Sequence, residues 1–168
     1  VSSHPFNPLR ALAALNQRGV RFVVIGGLAG RLWGSPIVTN DLDVCYARDR
    51  KNLEALAAAL RELNARLRGA PEDLPFQLEA RALELGDRFT FVTDAGNLDI
   101  LGAPTGTGGF SELVRTAREM DLGEMRVSVA AIEDLIRMKR CAARPKDLIE
   151  LEVLSALRDE IERGGSGT

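Results

Sequence analysis

The chain has 168 residues, 45% of them hydrophobic and 27% charged, with a net charge of -2 from 22 basic and 24 acidic residues and a single histidine. That length fits one domain with a core of its own and no need of disulfide staples. The near-neutral balance excludes a broad electrostatic coating of nucleic acid, though not a local basic groove, and one histidine excludes a histidine-rich metal centre.

Residues 1–7 read as a disordered tail, and 8–163 as the domain. Pro8 opens a segment with Leu9, Leu12, Ala13 and Leu15 at helical spacing, closed by Gly19. Residues 21–25 follow as a strand whose unbroken Phe22-Val23-Val24-Ile25 run suits burial on both faces. After Gly26-Gly27, residues 28–33 make a short helix ended by Gly34 and Pro36, with Trp33 anchoring it to the core. Residues 41–46 are the second strand. Asp49 caps a helix over 50–63, whose Leu53, Leu56, Ala57, Leu60 and Leu63 form one apolar stripe.

Residues 69–75 have loop composition, and the first half of 76–85 is read as strand. Residues 89–93 and 98–101 flank Asp94-Ala95-Gly96-Asn97 as a β-hairpin, and the glycine-rich 102–109 is a loop. A short helix is expected over 110–116 and a last short strand over 125–129. Two helices close the domain. The first covers 131–143, with Ile132, Leu135, Ile136 and Met138 inward. The second starts at Pro145, with Leu148, Leu151, Leu154, Ala156, Leu157 and Ile161 inward. Residues 164–168 read as a second disordered tail. The sum is an α/β (α+β) domain, a mixed β-sheet flanked by helices. Cys45 and Cys141 lack zinc-type spacing and fall in segments that read as core, so free thiols in a reducing compartment are expected. No run approaches the ~18 apolar residues of a membrane span and no signal pattern opens the chain, so a cytoplasmic protein without a membrane partner is expected.

The chemistry concentrates around Gly26 to Asp43. Asp41 and Asp43 stand two apart on a strand and so point the same way, where two carboxylates repel unless a cation lies between them. Asp99 lies in the second arm of the hairpin, and an aspartate within a strand runs against propensity. If the two strands are neighbours, three carboxylates converge as an all-oxygen set suited to Mg²⁺. Gly26-Gly27 permits the close-approach backbone that exposes N–H groups to a phosphate, with a helix directing its positive end there. Lys139 is a point charge for distal phosphates, or equally a solvated helix residue.

A strand ending in Gly-Gly, a short helix, then Thr39-x-Asp41-x-Asp43 and a third aspartate on a later strand resembles the polymerase-beta-like nucleotidyltransferase superfamily. The Gly27-to-Asp41 spacing, Lys139, Arg144 and Lys146-Asp147-Leu148 look most like the AbiEii-type toxin nucleotidyltransferases and related minimal domains, over residues 8 to 160. The resemblance implies the nucleotidyltransferase fold with two C-terminal helices, and divalent-metal-dependent (Mg²⁺ or Mn²⁺) transfer of a nucleoside monophosphate from an NTP, with release of pyrophosphate. It puts catalytic and metal roles on Asp41, Asp43 and Asp99, nucleotide contacts on Gly26, Gly27, Thr39 and Lys139, and a supportive role on Asp147. The implied acceptor is a hydroxyl of an RNA end such as tRNA, a protein or a small molecule. A toxin-antitoxin role with a cognate protein partner is the biological setting it suggests.

The sequence departs at Gly27, where many superfamily members have serine. It also stops after the Asp147 helix, where toxin members commonly add a large helical region. That leaves open a nucleotide-binding or antitoxin-like module of the same fold with little turnover. Asp-x-Asp also occurs in metal-dependent glycosyltransferases, which use larger domains. The dinucleotide-binding G-x-G-x-x-G is absent, because Leu28 stands where its second glycine would be. Asp147 also reads as a favourable acid in a first helical turn.

Overall fold

The computed structural model describes residues 4–71, 73, 76–142 and 144–165. Its elements in chain order are α1 (Pro8–Gln17), β1 (Phe22–Ile25), α2 (Gly26–Leu32), β2 (Asp41–Tyr46), α3 (Arg50–Glu62), β3 (Arg66–Leu67), α4 (Ala80–Glu84), β4 (Arg88–Thr93), β5 (Gly96–Leu101), α5 (Phe110–Thr116), β6 (Arg118–Asp121), β7 (Arg126–Val129), α6 (Ile132–Ala142) and α7 (Pro145–Gly165). The strands form one sheet in the order β3-β4-β5-β2-β1-β7-β6. It is mixed: β2 runs parallel to β5 and β1 parallel to β7, while the other pairs are antiparallel.

Local chemistry explains the element ends. Asn7 caps α1 by accepting the Arg10 amide at 3.2 Å, Pro8 occupies the first turn, and Gly19 at φ +71 ends the run. β1 is buried at all four positions, as its unbroken apolar run requires. Asp49 caps α3 through the Asn52 amide, and Asn52, 3% exposed, is then spent on the sheet. Its side chain accepts from Arg21 N at 2.7 Å and donates to Arg21 O and Ala47 O, which joins α3 to the start of β1 and the end of β2. The α3 stripe Leu53, Leu56, Ala57 and Leu60 is buried as expected.

Several expectations need correction. α2 begins at Gly26 rather than Leu28, so both glycines belong to its first turn. Residues 76–79 are not a strand, and α4 follows them. The reason is at the sheet edge: β3 already pairs with β4, through Arg66 opposite Val92 and Leu67 opposite Phe91. Phe76 instead packs its ring 6.2 Å from those of Phe89 and Phe91. β6 was not foreseen, because Arg-Glu-Met-Asp carries none of the apolar signal of a strand; it is an edge strand held only by β7. The hairpin turn is confined to Asp94 and Ala95, with Gly96 at φ +95 opening β5. Cys45 is buried but Cys141 is exposed. Along α7, Leu154 is buried and Leu151 and Leu157 pack on the core, but Leu148 is 58% and Ile161 43% exposed and Ala156 also faces solvent. α7 meets the body along one narrow stripe, where Leu154 seats on Gly30 and Leu157 on Gly34.

Asn7, at the end of the segment read as a tail, donates its amide to Ala95 O at 2.9 Å, and Phe6 lies against Gly96. Gly164 and Gly165 fall within α7. The expected tail residues 1–3 and 166–168, and the expected helix end at 143, lie outside the described residues. No helix among the described residues is long and apolar enough to cross a membrane.

Candidate functional site

The centre of the sheet sets the site. Parallel pairing of β2 with β5 places Asp43 opposite Asp99 and Asp41 opposite Asn97, so the three aspartates rise from one sheet face. β1 lies on the other side of β2, with Ile25 opposite Asp43, so the chain leaves β1 and turns into α2 directly beside the Asp43 carboxylate. Gly26 makes that turn at φ +70, and a Cβ there would stand 2.9 Å from Asp43 Cγ. Any side chain there would be strained by the backbone and would displace the Asp43 carboxylate. A Cβ on Gly27 would stand 3.0 Å from both Cβ and Oγ1 of Thr39, so the threonine occupies the space a larger side chain would need. Thr39 Oγ1 in turn accepts the Asp41 amide at 3.3 Å. The amides of Gly26 and Gly27 belong to a first helical turn, where N–H groups have no intrahelical acceptor.

These residues line a cavity of about 400 Å³, large enough for a small ligand. Gly26, Gly27, Thr39, Asp41, Asp43 and Asp99 form one wall. Lys139 on α6, with Arg144, Lys146 and Glu150, forms the other. Asp147 is the one predicted site residue outside the lining. It is 1% exposed and lies behind Lys139, accepting from Lys139 Nζ at 3.1 Å, Arg144 N at 3.2 Å and Arg144 Nε at 2.9 Å. Burial alone would raise its carboxyl, but the hydrogen bonds from Arg144 and Lys139 outweigh that and hold it below the usual range.

Charge is unevenly compensated on the sheet wall. Asp41 accepts from Asn97 Nδ2 at 3.0 Å, and Asp99 is paired with Arg68 at 2.7 Å. Arg68 also donates to Phe91 O at 3.0 Å and so is fixed to β4. Among the described residues, Asp43 has no cation in hydrogen-bonding contact. Burial first, then the Asp99 and Asp41 charges and a hydrogen bond shared with Asp99, push its carboxyl up to about 7, with Lys139 opposing only in part. Three charged residues at the site were invisible in the sequence, one of them Arg88 of β4, which lines the cavity. Arg68 sits just past a two-residue strand that leaves no periodic signal, and Glu150 was one acid among several on α7.

Among the described residues, no three carboxylate, histidine or cysteine side chains form a ready-made metal cage. The oxygen donors still fit Mg²⁺ or Mn²⁺, because Mg²⁺ is held by one or two carboxylates plus substrate phosphates rather than by an all-protein cage. Burial and the neighbouring Asp99 and Asp41 charges leave Asp43 the least compensated of the three carboxylates. Asp41, Asp43 and Asp99 are the carboxylates that line the cavity from β2 and β5.

No family profile matches the sequence, and no curated protein matches it. Solved structures do match the fold. The lincosamide antibiotic adenylyltransferase LnuA, in a lincomycin-bound crystal structure, is similar with a TM-score of 0.61 at 12% identity, over 89% of this chain and 95% of that one. ANT(2″)-Ia in complex with adenylyl-2″-tobramycin is similar at 0.51 and 19% identity, over 92% of this chain and 96% of that one. The solution structure of the antibiotic-resistance factor ANT(2″)-Ia gives 0.50 and 18%, over 95% and 91%. At these identities the likeness is one of fold: the mixed sheet and its helices have the architecture of nucleotidyltransferases.

Proposed function

We propose that the protein is a divalent-metal-dependent nucleotidyltransferase that moves a nucleoside monophosphate from an NTP to a hydroxyl acceptor. The observation that carries this reading is the cavity itself, in which Asp41, Asp43 and Asp99 on two neighbouring strands face Lys139 across the Gly26-Gly27 turn. In this reading the amides of Gly26 and Gly27 and the Thr39 hydroxyl meet the triphosphate, while Lys139 neutralises its distal end. Asp147, buried and bonded to Lys139 and Arg144, positions the lysine. Asp41, Asp43 and Asp99 would hold Mg²⁺ or Mn²⁺, which when bound supplies charge neutralisation and a more acidic acceptor hydroxyl. The acceptor oxygen bonds to the α-phosphorus, the bond from that phosphorus to the pyrophosphate oxygen breaks, and Asp99 takes the hydroxyl proton.

The chemistry admits an RNA end such as tRNA, a protein or a small molecule as acceptor. Two of the fold neighbours, named for a lincosamide antibiotic and an adenylylated tobramycin, favour a small molecule. The Gly27-to-Asp41 spacing, Lys139, Arg144 and Lys146-Asp147-Leu148 favour the AbiEii-type branch, a toxin role and a cognate protein partner. A second reading, a nucleotide-binding or antitoxin-like module, is favoured by the Arg68 guanidinium on Asp99 and by the lack of a ready-made cage among the described residues.

Incubation with each α-labelled NTP, Mg²⁺ or Mn²⁺, and RNA, protein and small-molecule acceptors separates the two. Transfer that Asp43→Ala reduces at least ~1,000-fold is the expected result for an enzyme relying on metal-bound electrostatics. NTP binding without transfer to any acceptor would favour the module.

A further inference from the structure

The Lys139 ammonium has three N–H donors, and two are engaged by carboxylates of α7. Asp147 Oδ1 is 3.1 Å away and Glu150 Oε2 2.6 Å away. The two acids differ in how they are held. Asp147 is 1% exposed and tied to Arg144 as well, so it is a fixed part of the wall. Glu150 is partly exposed, lines the cavity beside Lys139, and has no other hydrogen bond or ion pair among the described residues. Its carboxylate therefore takes up the lysine's charge from the same side as an incoming phosphate. Asp147 alone keeps the lysine in place. A triphosphate arriving at Lys139 meets Glu150 as a like charge and a rival for the same donor.

We propose that Glu150 is an affinity-setting residue: its carboxylate occupies Lys139 in the nucleotide-free protein and must yield that contact when the triphosphate, or the product pyrophosphate, binds. This rests on the nucleotidyltransferase reading of the cavity. Its use is to keep the cationic wall from retaining anions, because tight binding of the ground state and of product slows turnover without helping the chemical step. Glu150 swings back onto Lys139 as pyrophosphate departs, restoring the second of the lysine's two carboxylate contacts.

The test is calorimetric binding of inorganic pyrophosphate and of Mg²⁺ with a non-hydrolysable ATP analogue to the full chain, comparing wild type, E150Q and E152Q. Glu152 is an exposed acid on the same helix outside the cavity lining, so it reports the effect of one charge lost at a distance. The expected result is that E150Q binds both probes about tenfold more tightly while E152Q changes little, since removing a like charge from a binding site relieves a direct repulsion. In a transfer assay the KM for NTP falls in E150Q and pyrophosphate inhibits more strongly. Weaker or unchanged binding by E150Q, beside clear binding by wild type, overturns the proposal and leaves the nucleotidyltransferase reading standing. An E150Q effect matched by E152Q also overturns it. No binding of either probe by any of the three proteins overturns both.

Discussion

Asp43 carries the largest electrostatic cost at the site. An ordinary aspartate titrates near 3.8, whereas burial beside Asp99 and Asp41 pushes this one up to about 7 in the folded protein. Between those values the folded state holds more protons than the unfolded state, so the stability this group contributes falls as pH rises through the window, and the penalty is complete above it. Asp43→Asn keeps the shape and removes the charge. In denaturant unfolding without metal, it should stabilise the protein by roughly 1–3 kcal/mol at pH 8 and change little at pH 4. A loss of stability at pH 8 would show that the carboxylate is already compensated. Gly26 belongs to the same cluster, since its φ of +70 brings its backbone against the Asp43 side chain. The sequence showed both residues, because Asp-x-Asp and Gly-Gly are local patterns. It did not show Arg68 bonded to Asp99, since that pair joins residues 31 positions apart through a side chain whose backbone has no pattern.

At the level of elements, one buried amide does structural work that no apolar stripe explains. Asn52 connects α3 to both β1 and β2 through three hydrogen bonds, at the outer ends of the strands whose other ends form the site. Asn52→Ala leaves the Arg21 amide and the Ala47 carbonyl short of partners, while the Arg21 carbonyl keeps the Ala47 amide at 3.2 Å, and should cost about 2–4 kcal/mol by chemical denaturation. A cost below about 0.5 kcal/mol, the level of an ordinary surface change, would mean that water replaces the amide. The elements that matched expectation are those with strong periodicity or strong caps. α1 has Asn7, Pro8 and Gly19, α3 has Asp49 and its leucine stripe, and β1 has its unbroken apolar run. Those that did not match are decided by neighbours. Residues 76–79 resemble a strand in composition, but β3 had already taken the edge of β4. β6 resembles a charged loop, yet β7 offers it a free edge. The leucines of α7 resemble a broad buried face, but only Leu151, Leu154 and Leu157 meet the body.

Across the whole molecule, a net charge of -2 hides a bipolar cavity. Carboxylates rise from β2 and β5 on one side, with Arg88 of β4 beside them, and Lys139, Arg144 and Lys146 stand with Glu150 on the α6–α7 side. The parallel β2–β5 pairing makes this arrangement, because only that register brings Asp99, distant in sequence, level with Asp43. A metal-bound triphosphate would bring charge of both signs to match such a cavity. The most direct measurement is equilibrium binding of a non-hydrolysable ATP analogue, with Mg²⁺ and with EDTA, to wild type and to the Asp41→Asn, Asp43→Asn double variant. Wild type should bind saturably, with EDTA weakening binding at least about tenfold, and Mg²⁺ should bring the double variant no gain. Binding that is indifferent both to EDTA and to the two substitutions would contradict this expectation.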